Sequence, residues 1–175
     1  PDHFRTLQEQ LNNAPSAQSR LTNRYASLHW KTTIADGLLT NVVGMIPGTG
    51  PETIVIGAHR DHFGRPAGLW FPGADDNASG TAVVLEVARA LGKIGLRPQR
   101  TILFLSFSGH EKDSLGSRLY TSRPVIPLGS TKAMINIDHV GAGDGVLILR
   151  VTELTKSTLK EAGYAVGLVN KLDYY

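Results

Sequence analysis

The chain has 175 residues, of which 41% are hydrophobic and 19% charged, the composition of an ordinary globular domain. It contains no cysteine, which excludes disulfides and thiolate zinc sites, and no stretch approaches the roughly 18 apolar residues of a membrane span. The net charge of +3 comes from scattered basic residues rather than a Lys/Arg block, so we expect no nucleic-acid partner.

The first forty residues are predicted to form a helix and a strand. In residues 2–13 apolar side chains recur at helical spacing, and Pro15 ends the pattern. Residues 25–34 alternate between apolar and polar side chains, as a half-exposed strand does. His29 falls on the polar face of that strand, where we expect a surface histidine without a further role.

Residues 41–141 alternate between apolar runs and turn-forming segments, which predicts a series of strands and helices. The strands are predicted at 41–46, 53–58, 101–107 and 132–137, and the helices at 81–91 and 115–120. The Gly- and Pro-rich segment 47–51 predicts a hairpin between the first two strands. The apolar runs indicate buried strands, which predicts a three-layer α/β/α fold with a mixed, largely parallel sheet.

The C-terminal residues continue this alternation. Glycines at 141–145 predict a turn, which is followed by a strand at 146–151, a helix at 153–162 and a last strand at 164–169. We expect residues 1–175 to form a single domain, with a helix and strand in 1–40, the core in 41–141 and a C-terminal part in 142–175.

Two adjacent carboxylates, Asp75 and Asp76, lie in a Gly-rich turn directly before the predicted helix at 81–91. Asn77 or Ser79 can cap the first turn of that helix. An Asx turn on the surface would explain one of the carboxylates. Two carboxylates repel each other and are costly to desolvate, so the pair also favours a bound cation.

Three predicted strands end near a residue that can bind metal: His59 follows the second strand, Glu111 the third and Asp138 the fourth. Sites in α/β sheets form at the carboxyl ends of strands, so these residues and Asp75 are expected to converge on one rim. One imidazole and three carboxylates suit zinc, and also manganese or cobalt. A single His or Glu after a strand is more often a hydrogen-bonding residue, and only their coincidence favours a metal site.

Four segments carry a resemblance to a known family. They are Gly57–His62, Gly73–Gly80, His110-Glu111 with Leu115-Gly116-Ser117, and Asn136–Gly141. In this order they resemble the co-catalytic zinc aminopeptidases, the bacterial leucyl-aminopeptidase group related to glutamate carboxypeptidase, glutaminyl cyclase and the transferrin-receptor ectodomain. Asp-Asp-Asn-Ala-Ser-Gly is the most specific motif, and the resemblance implies a zinc-exopeptidase-like fold.

The resemblance also implies a ligand set. His59 and Asp138 would bind one metal ion, Glu111 would bind another, and Asp75 would bridge the two, so that one or two zinc ions are expected. The implied mechanism is hydrolysis by a metal-activated water, with a base that takes its proton.

Two residues would support this centre by the same resemblance. Asp61 would orient His59 and fix its tautomer. Asp76 would follow Asp75 through a strained, often cis, peptide bond that aims the bridging carboxylate.

The chain departs from the family pattern in two places. The family has two consecutive glutamates where this chain has His110-Glu111, so His110 stands at the position of the general base. An imidazole can act as a base near neutral pH, or it can bind metal instead. The family also has a further His ligand in a later loop. His62 and His139 could take its place, although a position around the ligands explains both histidines more simply.

The function expected from these features is a metal-dependent hydrolase, a zinc aminopeptidase that removes N-terminal residues from peptides or small amides. One alternative is a weak or silent metal-binding or interaction domain on the same scaffold. Another is a hydrolase or acyltransferase acting on an ester, N-acyl or N-terminal glutaminyl substrate. The start of the chain shows no signal peptide, and the resemblance favours a secreted or periplasmic protein.

We also expect an effect on assembly. In the family, a further strand covers the strand that here is predicted at 132–137. That strand is therefore expected to pair in a homo-oligomer, or to gain cover from residues 146–151 or 164–169.

Overall fold

The computed structural model describes residues 9, 27, 29, 31, 36–143, 147–149 and 172–174. The chain divides into two units, Pro1–Asp36 and Gly37–Tyr175. In the first unit Glu9 is helical, and Ser27 forms a hydrogen bond of 3.0 Å with His29. The helix predicted at 2–13 and the strand predicted at 25–34 lie largely outside the described residues, and the single domain stays a prediction.

The second unit contains strands and helices close to the predicted positions. Its elements are β1 (Val42–Ile46), β2 (Thr53–His59), α1 (Gly80–Lys93), β3 (Thr101–Phe107), α2 (Leu115–Ser122), β4 (Thr131–Asn136), β5 (Leu147–Leu149) and β6 (Leu172–Tyr174). Short helical turns occupy Pro66–Gly68, Ala74–Ser79 and Leu128–Ser130. The elements predicted between 41 and 137 are thus confirmed to within a few residues, whereas those predicted at 153–162 and 164–169 lie outside the described residues.

Four of the strands form one sheet in the order β1-β3-β2-β4. β2 runs parallel to both β3 and β4, and β1 runs antiparallel to β3. The predicted mixed, largely parallel sheet is confirmed. The carboxyl ends of β2, β3 and β4 therefore meet at one rim, where His59 pairs with Phe107 in register.

The predicted hairpin between β1 and β2 is wrong, because β3 lies between them. Segment 47–51 instead runs beside the residues that lead into β3. The amides of Thr49 and Gly50 donate to the carbonyls of Pro98 and Gln99 at 3.0 and 2.8 Å. The Gly- and Pro-rich turn is satisfied by this longer-range pairing, which its composition does not reveal.

Helices cover both faces of the sheet. On one face Val55, Leu103, Leu105 and Phe107 pack with Tyr120 of α2. On the other face a second cluster joins Ala58 of β2 and Phe104 of β3 to Val84 of α1. These contacts confirm the three-layer α/β/α arrangement, since alternate residues of a strand point to opposite faces.

Among the described strands β4 is an outer strand of the sheet, and Met134 and Ile135 are about half exposed. β5 does not lie beside it: β5 pairs in parallel with β6, with Leu147 opposite Leu172. Residues 147–149 therefore do not cover β4, residues 164–169 lie outside the described residues, and the predicted homo-oligomer stays a prediction. No helix in the described part of the chain is both long enough and apolar enough to cross a membrane.

The core position of Leu105 gives a stability prediction. Its side chain is fully buried between sheet and helix, so Leu105→Ala should lower the free energy of unfolding by about 2–5 kcal/mol. Leu119→Ala is the same change at a position that is 47% exposed, and it should lower the free energy of unfolding much less. Chemical denaturation monitored by circular dichroism measures both, and equal losses would contradict the assigned core.

Candidate metal centre

His59 closes β2 at the rim of the sheet and is only 3% exposed. Its Nδ1 lies 3.0 Å from the backbone carbonyl of Asp61. A carbonyl only accepts hydrogen bonds, so Nδ1 carries the proton and Nε2 presents a lone pair. That lone pair faces two carboxylates, with 3.3 Å to Oδ1 of Asp76 and 3.3 Å to Oδ1 of Asp138.

This arrangement fits a bound cation. His59 Nε2 and Asp138 Oδ1 are both buried, and neither has a hydrogen-bond partner within the described part of the chain. Two electron-rich atoms that face each other without a donor are costly to bury. Two ligands of one tetrahedral zinc ion, each about 2.1 Å from it, lie about 3.4 Å apart, which matches the distances around His59.

Asp76 connects this group to a second one. Its Oδ2 lies 3.4 Å from Nδ1 of His62, and the same nitrogen lies 3.1 Å from Oε1 of Glu111. We call His59, Asp76 and Asp138 the first cluster, and His62, Asp76 and Glu111 the second cluster. The two oxygens of Asp76 face different clusters, so this carboxylate has the geometry of a bridge.

The structure does not place the Asp75 carboxylate, the predicted bridge, between the two clusters. The Asp75 carboxylate accepts hydrogen bonds from the backbone N–H of Gly141 at 2.7 Å and from Nδ1 of His139 at 3.2 Å. The Gly141 N–H is the main cause that lowers the pKa of Asp75, and the bond to Asp75 raises the pKa of His139. The cis peptide bond joins Asp76 to Asn77, one residue later than predicted.

Asn77 fixes where this turn sits. It is 1% exposed, its Oδ1 accepts from the Gly80 N–H, and its Nδ2 donates to the Ile137 carbonyl, both at 2.9 Å. Of the two residues predicted to cap the helix, Asn77 provides the bond, whereas the Ser79 hydroxyl donates to the Asp75 carbonyl at 2.6 Å. Asn77 thus ties the start of α1 to the end of β4, a positioning role that its cap-like sequence context did not reveal.

Asp61 lies next to His59, as predicted, but it holds the imidazole through a different group than the predicted carboxylate. Its carbonyl, not its carboxylate, holds His59, since the carboxylate is 4.0 Å from Nδ1. The carboxylate accepts from the backbone N–H groups of His110 and Glu111 at 3.1 and 3.2 Å. Asp61 therefore links the end of β2 to the loop that carries Glu111.

His110 lies against the first cluster. Its exposed ring stacks on the His59 ring, with centroids 4.0 Å apart and planes inclined by 21°. One of its nitrogens is close enough to join His59 and Asp138 around a single ion. A cavity of about 220 Å³ opens beside the two rings, lined by His59, Phe107, His110, Ser114, Ser117, Met134 and Asn136.

The structure thus brings five acidic or imidazole side chains of the rim into two clusters that share Asp76. Of the predicted ligands, His59, Glu111 and Asp138 belong to them and Asp75 does not. The sequence analysis gave Asp76 only a supporting role beside Asp75 and named His62 only as a substitute for a further ligand. The adjacent-carboxylate motif and the His-x-x-His spacing of 59–62 were the available signals.

Comparison with known proteins gives a family. The sequence profile of Peptidase family M28 matches residues 41–172. The chain is 38% identical over 107 residues to the "Probable leucine aminopeptidase" of Trichophyton verrucosum (strain HKI 0517), covering 58% of this chain and 29% of that protein. It is 35% identical over 111 residues to leucine aminopeptidase 1 of Emericella nidulans, covering 60% of this chain and 28% of that protein. The chain therefore spans under a third of the length of these relatives.

Solved structures share the fold. A glutaminyl cyclase from an Acidobacteriales bacterium superposes with a TM-score of 0.68 at 22% identity, over 78% of this chain and 51% of that one. At this identity the likeness concerns the fold alone. A zinc aminopeptidase from Bacillus subtilis superposes with a TM-score of 0.63 at 26% identity, over 75% of this chain and 33% of that one. With the profile match over 41–172 and a rim of paired ligand clusters, the chain belongs to peptidase family M28.

Proposed function

We propose that this chain carries the metal centre of a zinc-dependent aminopeptidase that removes N-terminal residues from peptides. The observation that carries the proposal is the pair of clusters sharing Asp76, in which the buried Nε2 of His59 faces the buried Oδ1 of Asp138. The similarity to leucine aminopeptidases supports peptides with an apolar N-terminal residue as substrates.

The residues that would hold metal are those of the two clusters. One ion would lie between His59, Asp76 and Asp138, and a second beside Asp76 and Glu111. When bound, such ions polarise a scissile carbonyl and acidify a water molecule. Imidazole and carboxylate donors suit zinc, with manganese and cobalt as substitutes.

The chain's own residues would hold the reactants and move the proton. The His110 ring lies beside the first cluster and the cavity, where it can accept a proton from a water and return it to the leaving amine. Asp61 would keep His110 and Glu111 in place through their backbone N–H groups. The cavity would receive part of the substrate, and its mixed lining of Phe107 and Met134 with polar groups suits a short peptide.

The test combines metal analysis with turnover. Protein purified without chelator should contain zinc or a similar ion, and it should hydrolyse leucyl-anilide. Chelation should abolish hydrolysis, and added zinc should restore it. Zinc at 100 times its dissociation constant should also stabilise the fold by about 2.7 kcal/mol. If the purified protein holds no metal and added zinc gives no thermal shift, the metal centre is rejected.

A second candidate function is metal binding without efficient peptide turnover. The observation that favours it is His110, which stacks on His59 and lies within reach of the first cluster. If His110 is drawn into that cluster, no free base remains beside the cavity. Tight zinc binding combined with leucyl-anilide turnover no faster than that of the buffer would select this candidate.

A further inference from the structure

His62 is an imidazole that the family resemblance does not place among the metal ligands. It lies three residues beyond the end of β2 and is 18% exposed. We infer that His62 binds the second metal ion directly through Nδ1, together with Asp76 and Glu111. This inference rests on the proposed function, because it names a ligand within the same metal centre.

The spacing of the second cluster supports direct binding. Nδ1 of His62 lies 3.1 Å from Glu111 Oε1 and 3.4 Å from Asp76 Oδ2. In the first cluster, Nε2 of His59 lies 3.3 Å from each of its two carboxylates. Both sets match the separation of about 3.4 Å between ligands of one tetrahedral zinc ion.

The composition of the two clusters is also the same. As defined by these contacts, each has one imidazole nitrogen, one carboxylate of its own and one oxygen of the shared Asp76. Without His62, the second cluster would hold only carboxylate oxygens, which bind zinc less selectively than a set containing imidazole. His62 therefore supplies the nitrogen ligand that makes the second cluster equivalent to the first.

The surroundings of His62 hold its ring in this position. Gly73 has a φ of +67°, and a Cβ added there would lie 2.8 Å from Cβ of His62. The rings of Phe63 and Phe71 flank the imidazole at centroid distances of 4.7 and 6.2 Å. A ring packed in this way loses little conformational freedom when it binds a metal ion, which favours affinity.

The competing explanation is that His62 only donates a hydrogen bond to Glu111, which in turn binds the ion. Loss of such an outer partner costs roughly 10–100-fold in metal affinity and leaves the number of ions unchanged. Loss of a direct ligand should remove the ion from its site. The number of bound ions therefore separates the two roles without a measurement of activity.

The experiment is calorimetric titration of the metal-free 175-residue chain with zinc, supported by the visible absorption of bound cobalt. The wild-type chain should bind two ions. His62→Ala and His62→Gln should each bind one, with the affinity of the remaining ion unchanged. His29→Ala is the control, since His29 is an exposed histidine that belongs to neither cluster, and it should still bind two.

The outcomes are distinct. Two ions bound by both His62 variants, with second-ion affinity reduced by less than about 100-fold, would overturn the inference. One ion bound by wild type and variants alike would also overturn it, while the proposed metal centre would stand. No ion bound by the wild type would reject the proposed function as well. Thermal unfolding of the metal-free chains confirms that each variant is folded.

Discussion

Asp76→Asn is expected to abolish the binding of both metal ions, whereas Asp75→Asn, the same change one residue earlier, should leave two ions bound. The reason is the direction of the two carboxylates. Asp76 turns one oxygen toward His59 and the other toward His62. Asp75 accepts the Gly141 N–H, a bond that the asparagine oxygen can keep.

The same pair should differ in turnover. Metal assistance is worth several kcal/mol of transition-state stabilisation, and about 4 kcal/mol corresponds to about 10³-fold in rate. We expect leucyl-anilide hydrolysis by Asp76→Asn to fall by at least this factor. Asp75→Asn should retain most of its activity.

Zinc titration and initial rates on the purified variants measure both effects. Each replacement is isosteric and removes one charge, so the pair controls for the general effect of losing a carboxylate in this turn. A loss of both ions in Asp75→Asn, with binding intact in Asp76→Asn, would restore Asp75 as the bridge and contradict the geometry described above.

His110→Glu is expected to raise peptide turnover by about 10²–10⁴-fold, the usual worth of general-base assistance. The ring of His110 stacks on His59 beside the first cluster. Two nearby cations would attract a carboxylate at this position, whereas they would not attract a neutral imidazole. The carboxylate would therefore stay close to the water that it must deprotonate. Rates with leucyl-anilide at saturating zinc measure the change.

His110→Gln is the control, because it has a similar length to Glu but no basic group. It should be no more active than the wild type, and each variant should bind as many ions as the wild type. If His110→Glu leaves turnover unchanged or lower, His110 is not a poor substitute for a carboxylate base. A parallel loss of one bound ion would then show that the His110 ring serves the first cluster as a ligand.

The sequence alone determined the elements of the core and the place of three side chains in the two clusters. The apolar runs of β2 and β3 and the periodicity of α1 are local signals, so their positions followed from the residues themselves. His59, Glu111 and Asp138 follow the carboxyl ends of strands, and parallel pairing brings such ends to one rim. A rim site of imidazole and carboxylates was therefore predictable from one sequence.

The tertiary structure decided the pairing of strands and the direction of side chains. The order β1-β3-β2-β4 depends on long-range partners, which is why a turn-forming segment misled the hairpin prediction. Asp75 and Asp76 are chemically identical, and only the path of the backbone through Ala74–Ser79 selects which carboxylate faces His59. His62 joins Glu111 because two loops from different strands meet at the rim, and no local pattern in the sequence encodes the distance between them.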